Sequence, residues 1–379
     1  MKKTISIILV FALLILSSIY VNAEQDIKNI TIVSGIGIDY DKETDSYILT
    51  VEIFDVNESL GEASAQGNMT KVMQYRGKTI SSAVEKMSIE LGKTVVYSQK
   101  KAIILGKSVF QKGFMNVVDF FVRDYKTRSG VLVAVAKDGT AEEMIRIKEG
   151  GSAFPSEEIE TLLESGKNNG YTTEMDMAQL TNMYTDKCTS EYIPLLSKKT
   201  EGKDEYTCLS GFAVVNNEKY VGDLDLTEGR SLLFVNDKFE SGTLNIENEQ
   251  LGLLTFKIVE SKTDVKTYIR NGKPVFFVKI RVTGDLVEQQ EAPEKRFDKD
   301  HVEKVTKTVS EYIKKDIDKT ILKCLTEYRS DVFGFGRRVF VIYPDYFKAH
   351  EKYFPGNIDE NSVKVDVEFN LRRIGQGNS

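Results

Sequence analysis

Histidine is the side chain that most readily trades a proton near neutrality, and it occurs only twice, as His301 and His350. Neither has a cysteine, histidine or carboxylate neighbour at metal-ligand spacing, and His301, between Asp300 and Glu303, reads as a solvated helix end. Three Gly-Lys-Ser/Thr triplets occur, at Gly77-Lys78-Thr79, Gly92-Lys93-Thr94 and Gly106-Lys107-Ser108. A phosphate loop also needs a glycine five residues earlier, so that backbone amides wrap the anion, and those positions hold Val72, Met87 and Lys101. Gly35-Ile36-Gly37 and Gly334-Phe335-Gly336 begin a dinucleotide fingerprint, but Tyr40 and Val339 stand where its third glycine belongs, so both read as tight turns. Ser98 and Lys101 have the spacing of a serine–lysine nucleophile pair, which a lysine-rich chain produces by chance, and no companion motif follows. Carboxylates are plentiful, yet nothing singles out two of them as an acid–base pair. No catalytic, cofactor-binding or metal-binding residue is therefore expected, and the chain is read as a non-enzyme.

The elements that would carry a function begin with an export segment. Lys2 and Lys3 precede an uncharged run from Ile5 to Val21, and Val21-Asn22-Ala23 offers small residues at a signal-peptidase site. Residues 1–23 are read as a signal peptide or N-terminal anchor; the apolar run is slightly short of the roughly 20 residues that span a bilayer. The formal charge of −6 becomes −8 once the two leader lysines are removed, which argues against nucleic-acid binding. Three cysteines, Cys188, Cys208 and Cys324, are too few for a disulfide framework, and Cys188 and Cys208 would pair only if their strands are neighbours.

The remaining chain, 41% hydrophobic and 28% charged, has an ordinary globular balance and length for two or three domains. Strands are predicted at 30–38, 47–54, 101–105 and 131–136, with amphipathic helices at 78–91 and 108–123. That order implies a mixed sheet with helices on one side. Thr140 to Glu143 reads as a capping box. The polar stretch 148–167 reads as a hinge, followed by a helix at 173–184. Hairpin strands follow at 192–196, 208–215 and 219–224, then strands at 251–261, 265–270 and 275–282, with Asn271-Gly272 as the strongest turn signal. The clearest helix is 300–328, whose Val305, Val309, Ile313, Ile317 and Ile321 recur every four residues and must lie on a sheet or a partner; a last strand spans 363–371. The fold class is α+β, in two to three lobes of mixed or antiparallel sheet flanked by helices.

Several segments, in order, resemble the Ger(x)C family, the C subunits of bacterial spore germinant receptors. They include Asp26 to Asp39, Arg76 to Ala83, Phe120 to Asp124, Tyr192 to Leu196 and Leu209 to Val214. Asp331-Val-Phe333-Gly334-Phe335-Gly336 and Tyr343-Pro344-Asp-Tyr346 are similar to its C-terminal signature, and Val363 to Arg373 to its closing strand. The resemblance implies an N-terminal family region at 24–200 and a C-terminal one at 205–376, with three lobes dividing near 150 and 250.

It also implies a membrane-associated subunit on the outer face of the spore inner membrane, assembled with A and B membrane subunits, with no catalytic activity; no cofactor is expected, and no small-molecule ligand either, since the chain offers neither a glycine-rich anion nest nor a helix N-terminus with a specific basic residue beside it. One departure concerns the anchor: the family's leader ends in a lipid-bearing cysteine, whereas Tyr20-Val-Asn-Ala-Glu24 stands here and the first cysteine is Cys188, so no lipidation site is expected. Phe347 stands where the family commonly has Trp. Asp331, Phe333, Gly334, Phe335, Gly336 and Pro344 are the candidate motif, read either as a turn whose aromatics fill a core or as an aromatic presented to a partner or the membrane. The alternative to a receptor subunit is a free extracytoplasmic solute-binding module, which would need a concave pocket of convergent polar groups.

Overall fold

The computed structural model describes residues 30–54, 70–97, 101–123, 130–148, 154–185, 188–290 and 299–374. The leader at 1–23, and Ser98 of the serine–lysine spacing, lie outside the described residues. The chain enters as a hairpin of β1 (Ile30–Asp41) and β2 (Ser46–Phe54). Its turn is closed by Asp41, whose Oδ1 accepts from the Glu43 and Thr44 amides, a local alternative to strand pairing that short carboxylates offer. β3 (Thr70–Gly77) pairs with β2, and α1 (Ile80–Leu91) follows. Thr79 caps α1 in a reciprocal box with Ser82, and Gly92, at φ 59, ends it. β4 (Thr94–Val96) and β5 (Ala102–Gly106) then run parallel to β1.

Next come α2 (Val109–Lys112), α3 (Met115–Arg123), β6 (Leu132–Ala136), α4 (Ala141–Arg146), α5 (Pro155–Asn168) and α6 (Met177–Thr185). β7 (Glu191–Glu201), β8 (Asp204–Asn216) and β9 (Lys219–Leu224) complete a nine-stranded mixed sheet of order β3-β2-β1-β5-β6-β7-β8-β9, with β4 beside β1. Three expectations are corrected here. Helices cover both faces: Ile103, Leu105, Val133 and Val135 pack with α1 and α3, while Ala102, Ile104, Ala134 and Ala136 pack with α4 and α5. That is why β5 and β6 read as unbroken apolar runs, as parallel strands buried on both sides do. The polar stretch read as a hinge contains α5, started by Pro155 with Glu157 and Glu158 in its first turn and anchored by Ile159 and Leu163 four residues apart. The single helix expected over 108–123 is broken at Gly113, which takes φ 95.

A second sheet is antiparallel through β10 (Gly242–Asn248), β11 (Gly252–Arg270) and β12 (Lys273–Gln290), with β13 (Val363–Ile374) added parallel to β12. α7 (Leu226–Val235), capped reciprocally by Asp225 and Glu228, leads into it. The Asn271-Gly272 turn closes β11 on β12 with φ 50 and 73, as a two-residue hairpin requires. β11 is one long strand rather than two, because the charged stretch from Glu260 to Asp264 keeps pairing with β12 beyond the bulge between Ile258 and Glu260. Leu254, Phe256, Phe276, Val278, Ile280, Val365, Val367 and Phe369 fill the inner face of this sheet.

α8 (Lys299–Leu322) lies on that face through the predicted stripe of Val305, Val309, Ile313, Ile317 and Ile321. Each such side chain contributes about 1.5–3 kcal/mol on burial. Ser310 Oγ also accepts the Phe369 amide, tying α8 to β13. A π-helical turn at Lys323–Glu327, α9 (Phe335–Ile342) and α10 (Pro344–His350) connect α8 to β13. β6, β7 and β8 lie side by side in the first sheet, β6 pairing parallel with β7 and β7 turning directly into β8. The second sheet begins at Gly242. No disulfide joins the three cysteines.

Candidate functional site

The segment Asp331 to Gly336 is the seam between the two sheets. On one side, Ser190, just before β7, donates its amide to Asp331 O at 2.9 Å and accepts the Asp331 amide on Oγ at 3.1 Å. On the other, Phe335 stacks on Phe276 of β12 at 4.6 Å between ring centroids, with Phe333 at 5.5 Å. Asn236, at the end of α7, donates to Val332 O at 3.0 Å. Asp331 organises the turn: its Oδ1 accepts the Phe333 and Phe335 amides at 3.2 and 3.1 Å, and its Oδ2 accepts the Gly336 amide at 2.6 Å. Burial lifts its carboxyl to about 6, against the opposing pull of those amides. Gly334 takes φ 71, and a Cβ on Gly336 would meet Cys188 O at 2.5 Å, so both glycines are required by the turn and its close packing.

Asp331, Phe333, Phe335 and Gly336 are therefore brought together and buried, with their polar groups spent on each other and on the backbone. Pro344 stands apart, exposed at the first position of α10. Phe347 is buried between Phe340 and Phe354, and Tyr346 Oη donates to Gly272 O at 2.8 Å, so α10 clamps the β11–β12 turn. His350 stacks on Tyr346 at 4.2 Å. Among the described residues no cluster of three or more histidines, cysteines and carboxylates is placed to hold a metal ion. The triplets that echo a phosphate loop have structural work: Thr79 caps α1, Gly92 ends it, and Ser108 Oγ accepts the Tyr40 amide.

Sequence reasoning missed several features. Asp39, on β1, accepts the Ala141 and Glu142 amides at 3.0 and 3.2 Å, and Glu52, on β2, accepts the Ser156 amide at 3.1 Å and its hydroxyl. Two strand carboxylates thus cap α4 and α5, and burial raises both. Thr140 provides the half of the expected capping box directed at the Glu143 amide. Glu228 pairs with Lys323 of the π turn at 2.7 Å. An apolar ridge on α9, formed by Phe340, Val341 and Ile342, is 50%, 67% and 49% exposed, beside Arg337 and Arg338. Its signal in the sequence is a run of four apolar residues after two arginines, longer than one buried face of so short a helix requires.

This α+β architecture of two helix-flanked sheets is that of a known fold. A crystal structure of the GerBC protein superposes with a TM-score of 0.60 at 18% identity, covering 90% of this chain and 97% of that one. A family model described as the spore germination protein N-terminal domain matches residues 23–198, and one described as spore germination B3/GerAC like, C-terminal, matches residues 210–375. The chain belongs to the Ger(x)C family of spore germination proteins. It is 25% identical to spore germination protein B3 of Bacillus subtilis (strain 168), over 93% of each chain. It is 20% identical to spore germination protein KC of the same organism, over 94% of this chain and 92% of that one. The Asp331 to Gly336 seam lies within the C-terminal match. No helix among the described residues is long and apolar enough to cross a membrane.

Proposed function

We propose that this chain is the non-enzymatic C subunit of a nutrient germinant receptor, assembled with A and B membrane subunits on the outer face of the spore inner membrane. The observation that carries the reading is the pair of family matches, in order, across residues 23–198 and 210–375. Two structural features support it. The most motif-like segment is spent on joining two sheets, which suits a scaffold better than a reaction centre. The Phe340–Ile342 ridge offers exposed apolar surface next to that seam, as a subunit contact does. We assign the ridge to contact with a membrane subunit and the anchor to residues 1–23 rather than to a lipid.

The test is co-purification of the full chain from detergent-solubilised spore membranes, together with germination of spores lacking it. A polytopic membrane protein is expected to accompany the chain, and its loss should abolish the response to every nutrient its receptor serves without changing the preference among them. Recovery of the chain alone, with a shifted nutrient preference in the deletion strain, would move the assignment to a free solute-binding module.

A further inference from the structure

A cleft of about 580 Å³ opens where the first residues of β7 meet the β8–β9 turn and the Asp331 loop. Its walls include Glu191, Asn216, Asn217, Glu218, Asp331 and, on the apolar side, Phe354 with Pro355. Three carboxylates line it, and among the described residues its lining contains no lysine or arginine. Asp331 is committed to the backbone amides of its own turn, whereas Glu191 accepts only its own backbone amide. It is only 6% exposed, and its Oε2 has no hydrogen-bond partner. A buried carboxylate oxygen left unmet costs free energy that a docked cation would recover.

We propose that this cleft binds a primary alkylammonium group, with Glu191 as its counter-ion. An ammonium carries three donors on a compact charge, and Glu191, Glu218, Asn216 and Asn217 line the same cleft, with the buried Oε2 of Glu191 unmet. Asn216 spends its Nδ2 on Arg329 O at 2.8 Å, which leaves the oxygen end as an acceptor. Phe354 and Pro355 supply a wall for the alkyl chain. A divalent metal fits less well, since no set of three suitable ligands converges among the described residues. A free α-amino acid fits less well too, because its carboxylate would face Glu191 and Glu218. The alkylammonium comes either from a lysine side chain of a partner protein or from a free amine.

Burial, and the nearby Glu218 carboxylate, hold the Glu191 carboxyl up at about 7, so a proton competes for the site. The other titratable groups lining the cleft are Glu218, Asp331 and Cys188. Isothermal titration of n-butylammonium chloride into the purified full chain, with n-butanol and potassium chloride as controls, reads the binding directly. Saturable heat is expected for n-butylammonium alone. Affinity should fall about tenfold between about pH 8 and about pH 6, as protonation of Glu191 requires, and that fall should shrink to about twofold or less in Glu191→Gln, where Asp331 alone still titrates near the low end. Glu191→Gln should also weaken binding at least about tenfold at the higher pH. Should Glu191→Gln fail to fold by circular dichroism, Glu218→Gln, on the turn, is expected to weaken binding by about threefold or more. Capture of membrane subunits by the immobilised chain separates the sources: capture blocked by n-butylammonium assigns a partner lysine, and capture unaffected by it assigns a free amine. No saturable heat, equal heat from n-butanol, or unchanged affinity in the folded variants would overturn the proposal.

Discussion

Asp331→Ala should destabilise the chain, and by an amount that depends on pH in a stated direction. The substitution removes the acceptor for three buried amides, those of Phe333, Phe335 and Gly336. An orphaned buried donor costs about 1–3 kcal/mol, so partial relaxation leaves a cost of roughly 3–6 kcal/mol for the three. A second effect opposes it. Burial raises the Asp331 carboxyl from an ordinary 3.8 to about 6, so in that window the folded chain keeps a proton the unfolded chain has released. The folded state then binds more protons, and wild-type stability falls as pH rises through the window. At about 1.4 kcal/mol per pH unit the fall is about 3 kcal/mol, complete above about pH 6, and the alanine variant does not suffer it. The deficit of the variant should therefore be largest near about pH 4.5 and smaller by about 2–3 kcal/mol at about pH 8.

Guanidinium unfolding of wild type and variant at both pH values measures the difference, and subtraction cancels the other raised carboxyls, Asp39, Glu52, Glu191 and Asp316. A deficit that stays flat or grows with pH, or that stays below about 1 kcal/mol at both, would refute the seam argument.

Phe335→Ala removes a wholly buried ring stacked on Phe276 and should cost about 3–5 kcal/mol in the same assay; unchanged unfolding with failed subunit assembly would instead make Phe335 a contact residue. Val341→Asp, at a position 67% exposed, should shift stability by less than about 0.5 kcal/mol yet abolish co-purification with a membrane subunit, and retained co-purification would remove the ridge from the interface. Metabolic labelling with palmitate should leave the chain unlabelled, because its first cysteine is Cys188; label that survives replacement of Cys188, Cys208 and Cys324 by serine would contradict the anchor assignment.

What the sequence by itself determined was local and periodic. The α8 stripe, the Asn271-Gly272 turn, the β1–β2 hairpin and the alternation in β13 follow from residue spacing, and the structure has them where the spacing put them. The order of weak motifs carried the family, because order and spacing survive when individual residues do not. The helix at Pro155–Asn168 was hidden because its surface is polar and only Ile159 and Leu163 mark its buried face. What only the tertiary structure decided concerns partners distant in sequence. Nothing local distinguishes Asp39 or Glu52 from surface carboxylates, since each caps a helix about a hundred residues away. Asp331 reads as one acid in a turn until Ser190, 141 residues earlier, and Phe276 close around it. Glu191 reads as an ordinary strand-edge acid. Its burial with Oε2 unmet comes from the meeting of β7, the β8–β9 turn and the Asp331 loop, and a side chain's dielectric surroundings are a property of that assembly and not of its sequence neighbours.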